Sequence, residues 1–473
     1  MFFRKNVTPF PQTVKIRIKL DYIHRFSYIC CMTLADQTKT YLLRFLTGLE
    51  DEDLFRRFRI GYTDEPDRYE KYNLVFVPSG FFSASDYGTV SSLPAFPLPE
   101  IEGVPFLYGK PVVERKGNTL VVHADLPASA FFLLSRYEEI CLRKVRDRHG
   151  RYPGKESVLY ANNLMHRPIV DEYGLLIRRW LRDTGVDLPE PAPGIAKLWL
   201  THDVDAPFFC QSLRALGREA FKGKGPVFAL RSYFQDFRRD PFYTFDWMEE
   251  QVETYLHGVN FPIENVYFFK AGGDTVFDRP RYSLFSRKIQ YLLRDLDKKR
   301  ASFGLHGSYL SGKQGASPQE KRTLDRATKH KVFFSRNHFL RSCEPEHFRS
   351  LKKIGITDDF TMGYADVAGF RLGTCRPVLW IDPLDGRLTD LLLHPLTVMD
   401  CTLYNKAYMH LDEEKARQYC RQLFLATARY RGEICLLWHN SSLSDRVYPA
   451  APVPGARRLY TDLLDFLGKM SES

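Results

Sequence analysis

The nine cysteines of this 473-residue chain are scattered, at 30, 31, 141, 210, 343, 375, 401, 420 and 435, and no CxxC pair occurs among them. That excludes the paired-thiol frame of a zinc knuckle, and most are expected to be reduced core thiols. Long apolar runs are also lacking, since nothing approaches the roughly 18 uncharged apolar residues that cross a bilayer. The opening MFFRKNVTPFPQTVKIRIKL mixes prolines and basic residues among its apolar ones, without the apolar core of a secretion signal, so a cytoplasmic protein is expected. Repeats and biased tracts are missing, which excludes a disordered, collagenous or coiled-coil chain. No basic block is interleaved with aromatics, so no nucleic-acid partner is expected, although the net charge of +11 favours anionic partners. The basic stretch Arg214–Lys224 lacks the phosphate-loop pattern and is expected as a mobile loop.

What is present is a folded composition, 44% hydrophobic and 14% aromatic. The length exceeds the roughly 250 to 300 residues at which one core stops growing, so two domains are expected. Leu188–Gly194, LPEPAPG, carries three prolines in seven residues and marks the boundary, because proline holds itself and its predecessor out of helix. Residues 1–190 are then a smaller mixed α/β domain of unassigned role, and 195–473 a second one. In the first, Val14, Ile16, Ile18 and Leu20 alternate as in a half-buried strand, and Leu74–Val77 and Thr119–Val122 read as further strands. A helix is expected to start at Pro127, carry Phe131, Leu134, Leu142 and Val145 near one face, and end at Arg148–Gly154.

Beyond the linker, short apolar runs alternate with helical stretches, the pattern of βα units around a parallel sheet or barrel. The candidate strands are Ala196–Leu200, Asn265–Phe269, Ala301–Leu305, Val332–Ser335, Ile354–Thr357, Val378–Ile381, Leu391–Leu393 and Ile434–Trp438. Leu284, Phe285, Ile289, Leu292, Leu293 and Leu296 fall at helical spacing. A second helix spans Asp412–Arg431, with Asp412 as N-cap and Gly432 as the left-handed terminator.

In such architectures the carboxyl ends of the strands converge on one face, where ligands bind. Those ends read Thr201-His202-Asp203-Val204-Asp205, His306-Gly307-Ser308-Tyr309, Arg336-Asn337-His338, Asp358-Asp359 and His439-Asn440. Aspartates and histidines from separate strands offer oxygen and nitrogen ligands to a divalent ion such as Zn²⁺, with one carboxylate left as a base. Such an ion acidifies water and polarises a carbonyl, and a histidine can protonate the leaving group. The set describes metal-assisted hydrolysis of an amide or ester.

In this order the strand ends, extended by Phe339-Leu340 and Leu436-Leu437-Trp438, resemble the five motifs of the polysaccharide deacetylases, the NodB-homology or carbohydrate esterase family 4 proteins, over roughly residues 195–445. Phe131–Glu139, Gly369–Thr374 and Leu437–Asn440 resemble large members of that family from Bacteroidetes-type bacteria, which carry an extra N-terminal domain. The resemblance implies a distorted (β/α) barrel, a divalent cofactor, usually zinc, and removal of acetyl groups from sugars. It implies Asp203 as catalytic base, Asp205 and His306 as metal ligands, Arg336 as the group orienting the base, Asp358 or Asp359 as partner of the acid (Asp359 being preferred), and His439 as that acid.

One departure stands out. The second motif ordinarily supplies a further histidine four residues after the first, and this chain has Leu310 there. His338 is the candidate third ligand, and His202 a weaker one. Tyr309, Phe339 and Trp438 are candidates for an apolar wall around the substrate, against the plainer reading of core packing. Arg371 is placed in the sugar pocket, although it and Asp400 are explained equally well by ion pairing. His394 and the group Arg136, Glu138 and Glu139 read as structural. The expected substrate is a carbohydrate, with an acidic or lipid-phosphate-linked glycan suited to the positive charge. The alternative is a catalytically weak glycan-binding or assembly protein on the same scaffold, motivated by Leu310.

Overall fold

A computed structural model describes residues 34–49, 52–209, 236–444 and 455–472. The expected strand at Val14–Leu20 and the basic stretch Arg214–Lys224 lie outside the described residues.

The N-terminal part carries a four-stranded sheet and a two-stranded ribbon. Strands β1 (Ile60–Tyr62) and β2 (Leu74–Phe76) precede the ribbon, β3 (Glu100–Ile101) with β4 (Val104–Pro105), and β5 (Gly109–Lys116) and β6 (Thr119–Ala124) follow it. The sheet runs β1-β2-β6-β5, parallel except for the β5–β6 hairpin. Asp125 then caps the helix Leu126–Leu134 by accepting from the Ala128 N–H at 3.0 Å, with Pro127 in the first turn. The single helix expected to reach Val145 is instead two. Arg136 takes a left-handed backbone conformation, φ 61°, and the chain re-enters helix only at Tyr137–Cys141.

Residues 186–193 form neither helix nor strand. After them come β7 (Lys197–Val204), β8 (Ile263–Lys270), β9 (Ser302–Gly307), β10 (Phe334–Asn337), β11 (Asp358–Asp359), β12 (Val378–Asp382), β13 (Arg387–Leu393), β14 (Val398–Met399) and β15 (Glu433–Leu437). They form one sheet in the order β12-β13-β11-β10-β9-β8-β7-β15-β14. Seven of its eight pairings are parallel, and the central strands are nearly continuous apolar runs because both faces are buried, Leu198, Leu200 and Phe269 in one core cluster and Trp199, Val266 and Phe268 in another. Two expectations change here. The sheet is open, with β12 and β14 at its edges, so the ladder does not close into a full barrel. The β12–β13 pair is an antiparallel hairpin rather than a βα unit.

The N-terminal part covers that hairpin. Tyr41 Oη accepts from the Leu379 N–H at 2.8 Å on edge strand β12, and Thr38 donates to the Gly386 carbonyl at 2.7 Å in the hairpin turn. Phe131, Leu134 and Trp180 from upstream share one core with Phe348, Trp380 and Leu393 from downstream. A buried ion cluster crosses the same seam. Glu139 accepts from Arg136 Nε at 2.9 Å and from Arg371 Nη2 at 2.8 Å, and Arg136 Nη1 meets Glu344 at 2.6 Å.

Asp412 caps the helix Glu413–Arg429 as expected, accepting from the Lys415 N–H at 2.8 Å. The left-handed residue after it is Arg431, φ 50°, not Gly432. Glycine is needed at 432 for another reason, since a Cβ there would lie 2.3 Å from Cys375 Sγ. No helix among the described residues is long and apolar enough to cross a membrane.

Candidate metal centre

Side chains alternate along a strand, so Asp203 and Asp205, two apart at the end of β7, face the same way and His202 faces the other. His202 is accordingly no ligand: its ring stacks on Tyr267 at 4.9 Å, and its Nδ1 lies 3.0 Å from the Trp438 carbonyl. Burial pushes its pKa down to about 4, so it is neutral near pH 7. Parallel register then builds the site. His306 on β9 is flanked by Lys270 on β8 and Arg336 on β10. Gly304 lets the Phe268 ring lie against β9, where a Cβ would meet it at 2.2 Å, and that ring supports the Arg336 guanidinium at 4.6 Å.

Arg336 is fully buried and donates from Nη1 to Asp203 Oδ1 at 3.0 Å and from Nε to the Phe360 carbonyl at 3.0 Å. One arm of its fork thus holds the Asp203 carboxylate, and Nη2 points at Cys435 Sγ at 3.7 Å. Asp203 Oδ2 faces His306 Nε2 at 3.6 Å. Asp205 Oδ1 lies 3.3 Å from His306 Nε2 and 3.2 Å from His338 Nε2, so the structure brings the three expected ligands together. One donor atom from each lies within 4.8 Å of the others.

The donor set fits a divalent ion. Asp205 Oδ1 and His306 Nε2 are buried and make no hydrogen bond. His306 Nδ1 lies 3.0 Å from the Arg336 carbonyl, the second contact that orients a ligating histidine, while His338 Nδ1 faces Asp278 Oδ1 at 3.6 Å without a hydrogen bond. Desolvation alone would raise the Asp205 pKa, yet His338 and His306 hold it well below the ordinary carboxylate value. Conversely, burial lowers the His338 pKa while Asp205 and Asp278 outweigh it and raise it. The site attracts positive charge, whether a proton or a cation. The Asp205 side chain keeps 27% of its exposure, which leaves an approach from solvent.

Two groups here escaped the sequence reading. Asp278, after β8, accepts from the Tyr309 N–H at 2.8 Å and from Thr275 Oγ1 at 2.6 Å. Lys270, the last residue of β8, sends its buried ammonium to the Asp278 and Pro280 carbonyls at 3.1 and 3.2 Å and stands 3.9 Å from Asp205 Oδ1. Its place directly after the apolar run Asn265–Phe269 was the available signal.

His439 closes the site from just beyond the end of β15, with Nε2 3.8 Å from Asp205 Oδ2. Its partner is Asp400, not Asp359. Asp400 Oδ1 lies 2.8 Å from His439 Nδ1, its Oδ2 accepts the His439 N–H at 2.9 Å, and Ser442 donates to it as well. Asp359 is occupied elsewhere, accepting from Ser335 at 2.7 Å and from the Thr361 N–H at 2.9 Å. Asp358 meets His394 at 3.1 Å, and Glu433 holds the other nitrogen of that ring at 2.8 Å, which is a structural ion bridge.

The candidate substrate residues divide. Arg371 points away from the site into the ion cluster with Glu139, and its Nη1 donates to the Gly363 carbonyl at 2.6 Å. Trp438 is fully buried against Tyr460, with ring centroids 5.5 Å apart, so it is core. Both lie where strand alternation and long-range pairing sent them, which sequence proximity to a motif does not reveal. Tyr309 and Phe339 do border the centre. Phe339 packs 4.7 Å from the His338 ring, and with Tyr309, Phe277 and His149 it forms an aromatic rim. Leu310 is 37% exposed just beyond Tyr309. A separate cavity, lined by Arg44, Arg178 and Arg376 among others, lies at the opposite, amino-terminal ends of β7 and β15.

Residues 14–185, about a third of the chain, match the family model described as "Family of unknown function (DUF7033)". No curated protein matches. Among solved structures, "Crystal structure of putative polysaccharide deacetylase from Mycobacterium smegmatis" aligns over 60% of this chain and 94% of that one, at 13% identity and a TM-score of 0.35. A likeness that distant decides neither fold nor activity.

Proposed function

We propose that the chain is a metal-dependent hydrolase that removes acetyl groups from a carbohydrate. The observation that carries this reading is the convergence of Asp205 Oδ1, His306 Nε2 and His338 Nε2, two of them buried without a hydrogen bond, beside an arginine-held Asp203. A divalent ion such as Zn²⁺ in that set would acidify water and draw electrons from the acetyl carbonyl. Asp203 serves as the base. Arg336 occupies its Oδ1 and leaves Oδ2 free to take a proton from the attacking water. His439 serves as the acid, because its Nδ1 faces Asp400 and its proton for delivery is then on Nε2, which faces the site. As the water oxygen bonds to the carbonyl carbon, the bond to the sugar nitrogen or oxygen breaks and that leaving atom takes the His439 proton.

The acetylated-sugar class comes from the motif resemblance, and the +11 charge suits an acidic or lipid-phosphate-linked glycan. In this reading the catalytic unit spans 195–473, residues 1–190 are its companion, and the substrate is a cytoplasmic precursor. Lys270 favours a second reading, a catalytically weak glycan-binding protein, because an ammonium 3.9 Å from Asp205 competes with a cation for the same carboxylate.

Zinc content and acetate release from a panel of N- and O-acetylated oligosaccharides test both. Asp203→Asn should abolish release and keep the zinc, while Asp205→Ala, His306→Ala and His338→Ala should lose the zinc too. Unchanged turnover in Asp203→Asn overturns the hydrolase reading; oligosaccharide binding without stoichiometric metal supports the second.

A further inference from the structure

The third ligand is presented by an unusual piece of backbone. His338 is followed by Phe339 and Leu340, both left-handed at φ 64° and φ 52°, and neither is glycine. Bulky residues in that region cost on the order of 1 to 3 kcal/mol each and persist only where surrounding structure fixes them. Tyr309 and Phe277 pack on Phe339, and further contacts to this turn come from the N-terminal part.

There, Asp147–Arg151 closes on itself. Asp147 Oδ1 accepts from the N–H groups of His149 at 2.8 Å and Arg151 at 3.0 Å, and the Asp147 N–H donates to the Arg151 carbonyl at 2.8 Å. Asp147 also fixes the Arg151 guanidinium, accepting from Nε at 2.8 Å. From that position Arg151 Nη1 donates to the Phe339 carbonyl at 3.0 Å, and Nη2 donates to Tyr408 Oη at 3.0 Å. The His149 ring packs on Phe339 with centroids 4.8 Å apart, and its Nδ1 lies 3.3 Å from Tyr309 Oη. The Phe339–Leu340 peptide, one residue beyond His338, is therefore gripped through its carbonyl, and the Phe339 side chain through its ring.

We infer that the Asp147–Arg151 loop of the N-terminal part is a built-in component of the metal centre, with Arg151 as the positioning residue that holds ligand His338 towards Asp205. This rests on the metal-centre reading above. It assigns the N-terminal part a role: the usual second histidine is replaced by Leu310, and the substitute ligand sits on a strained turn that needs an external lock.

The test is zinc affinity by competition with a chromophoric chelator, together with the absorption spectrum of the Co²⁺-loaded full chain. Arg151→Ala should weaken zinc binding by roughly tenfold to a hundredfold, the range for losing a ligand-orienting contact. Its Co²⁺ bands should shift towards those of His338→Ala. Arg151→Lys, which keeps one donor, should recover part of both, and it carries the test together with His149→Ala if Arg151→Ala does not fold. Wild-type zinc affinity and an unchanged Co²⁺ spectrum in folded Arg151 and His149 variants overturn the inference, even if their melting temperature falls. Wild-type protein that takes up no metal overturns the metal reading itself, and this inference with it.

Discussion

His439 Nδ1 lies 2.8 Å from Asp400 Oδ1, so a carboxylate 39 residues upstream in the chain, rather than one on the neighbouring motif, sets the protonation of the proposed acid. Burial by itself pulls the His439 pKa down, but the Asp400 charge, with Cys401 nearby, outweighs it and holds the imidazole well above the usual histidine value. Activity that needs protonated His439 is present below that raised pKa and lost as pH rises through it. Asp400→Asn removes the counter-charge and leaves burial dominant, so the alkaline limb of kcat/KM should move to lower pH. An alkaline limb that stays in place would mean that another group supplies the proton.

Arg371 and Glu139 join the two parts of the chain at 2.8 Å with almost no solvent access. Removing one member of a buried ion pair strands the other, so Arg371→Ala should cost about 3 kcal/mol in urea unfolding. KM of the folded variant should stay near wild type. A raised KM with unchanged stability would return Arg371 to the substrate pocket.

Glu138 is the pH-sensitive member of the same seam. Burial pushes its carboxyl up to about 8, against the Val158 N–H that donates to it at 2.9 Å and with Glu139 adding to the rise. An acid whose folded pKa exceeds its unfolded value binds more protons when folded, so its contribution to stability is full below about pH 4.5 and declines as pH rises towards 8. The slope can reach about 1.4 kcal/mol per pH unit, and Glu138→Gln should flatten that part of the profile. Identical stability curves between pH 5 and 8, read by chemical denaturation, would show that Glu138 is ionised in the fold.

Most central strands and their polar ends were legible in the chain because buried parallel strands are short apolar runs, although Ile354–Thr357 is turn and coil and the strand there is Asp358–Asp359 itself. In this architecture the chemistry follows the run. That reading reached Asp203, Asp205, His306, Arg336, His338 and His439, which the structure gathers around one point. It passed over Lys270, which obeys the same rule at the end of β8, and Asp278, which follows no run and enters the site through its loop.

Partner choice was not legible. Asp400 rather than Asp359 reaches His439, Arg371 turns to Glu139, and Trp438 goes into the core, because strand alternation and the stagger between neighbouring strands set each side chain's direction. An open sheet, capped at its antiparallel edge by the N-terminal helix Asp36–Thr47, likewise depends on contacts hundreds of residues apart. Composition and periodicity determined which residues are apolar, where most strands run and which of their ends carry ionisable groups, since those are local properties of the chain. Tertiary packing alone decided which carboxylate faces which imidazole, because hydrogen bonds and ion pairs depend on separations of a few ångströms that sequence distance does not encode.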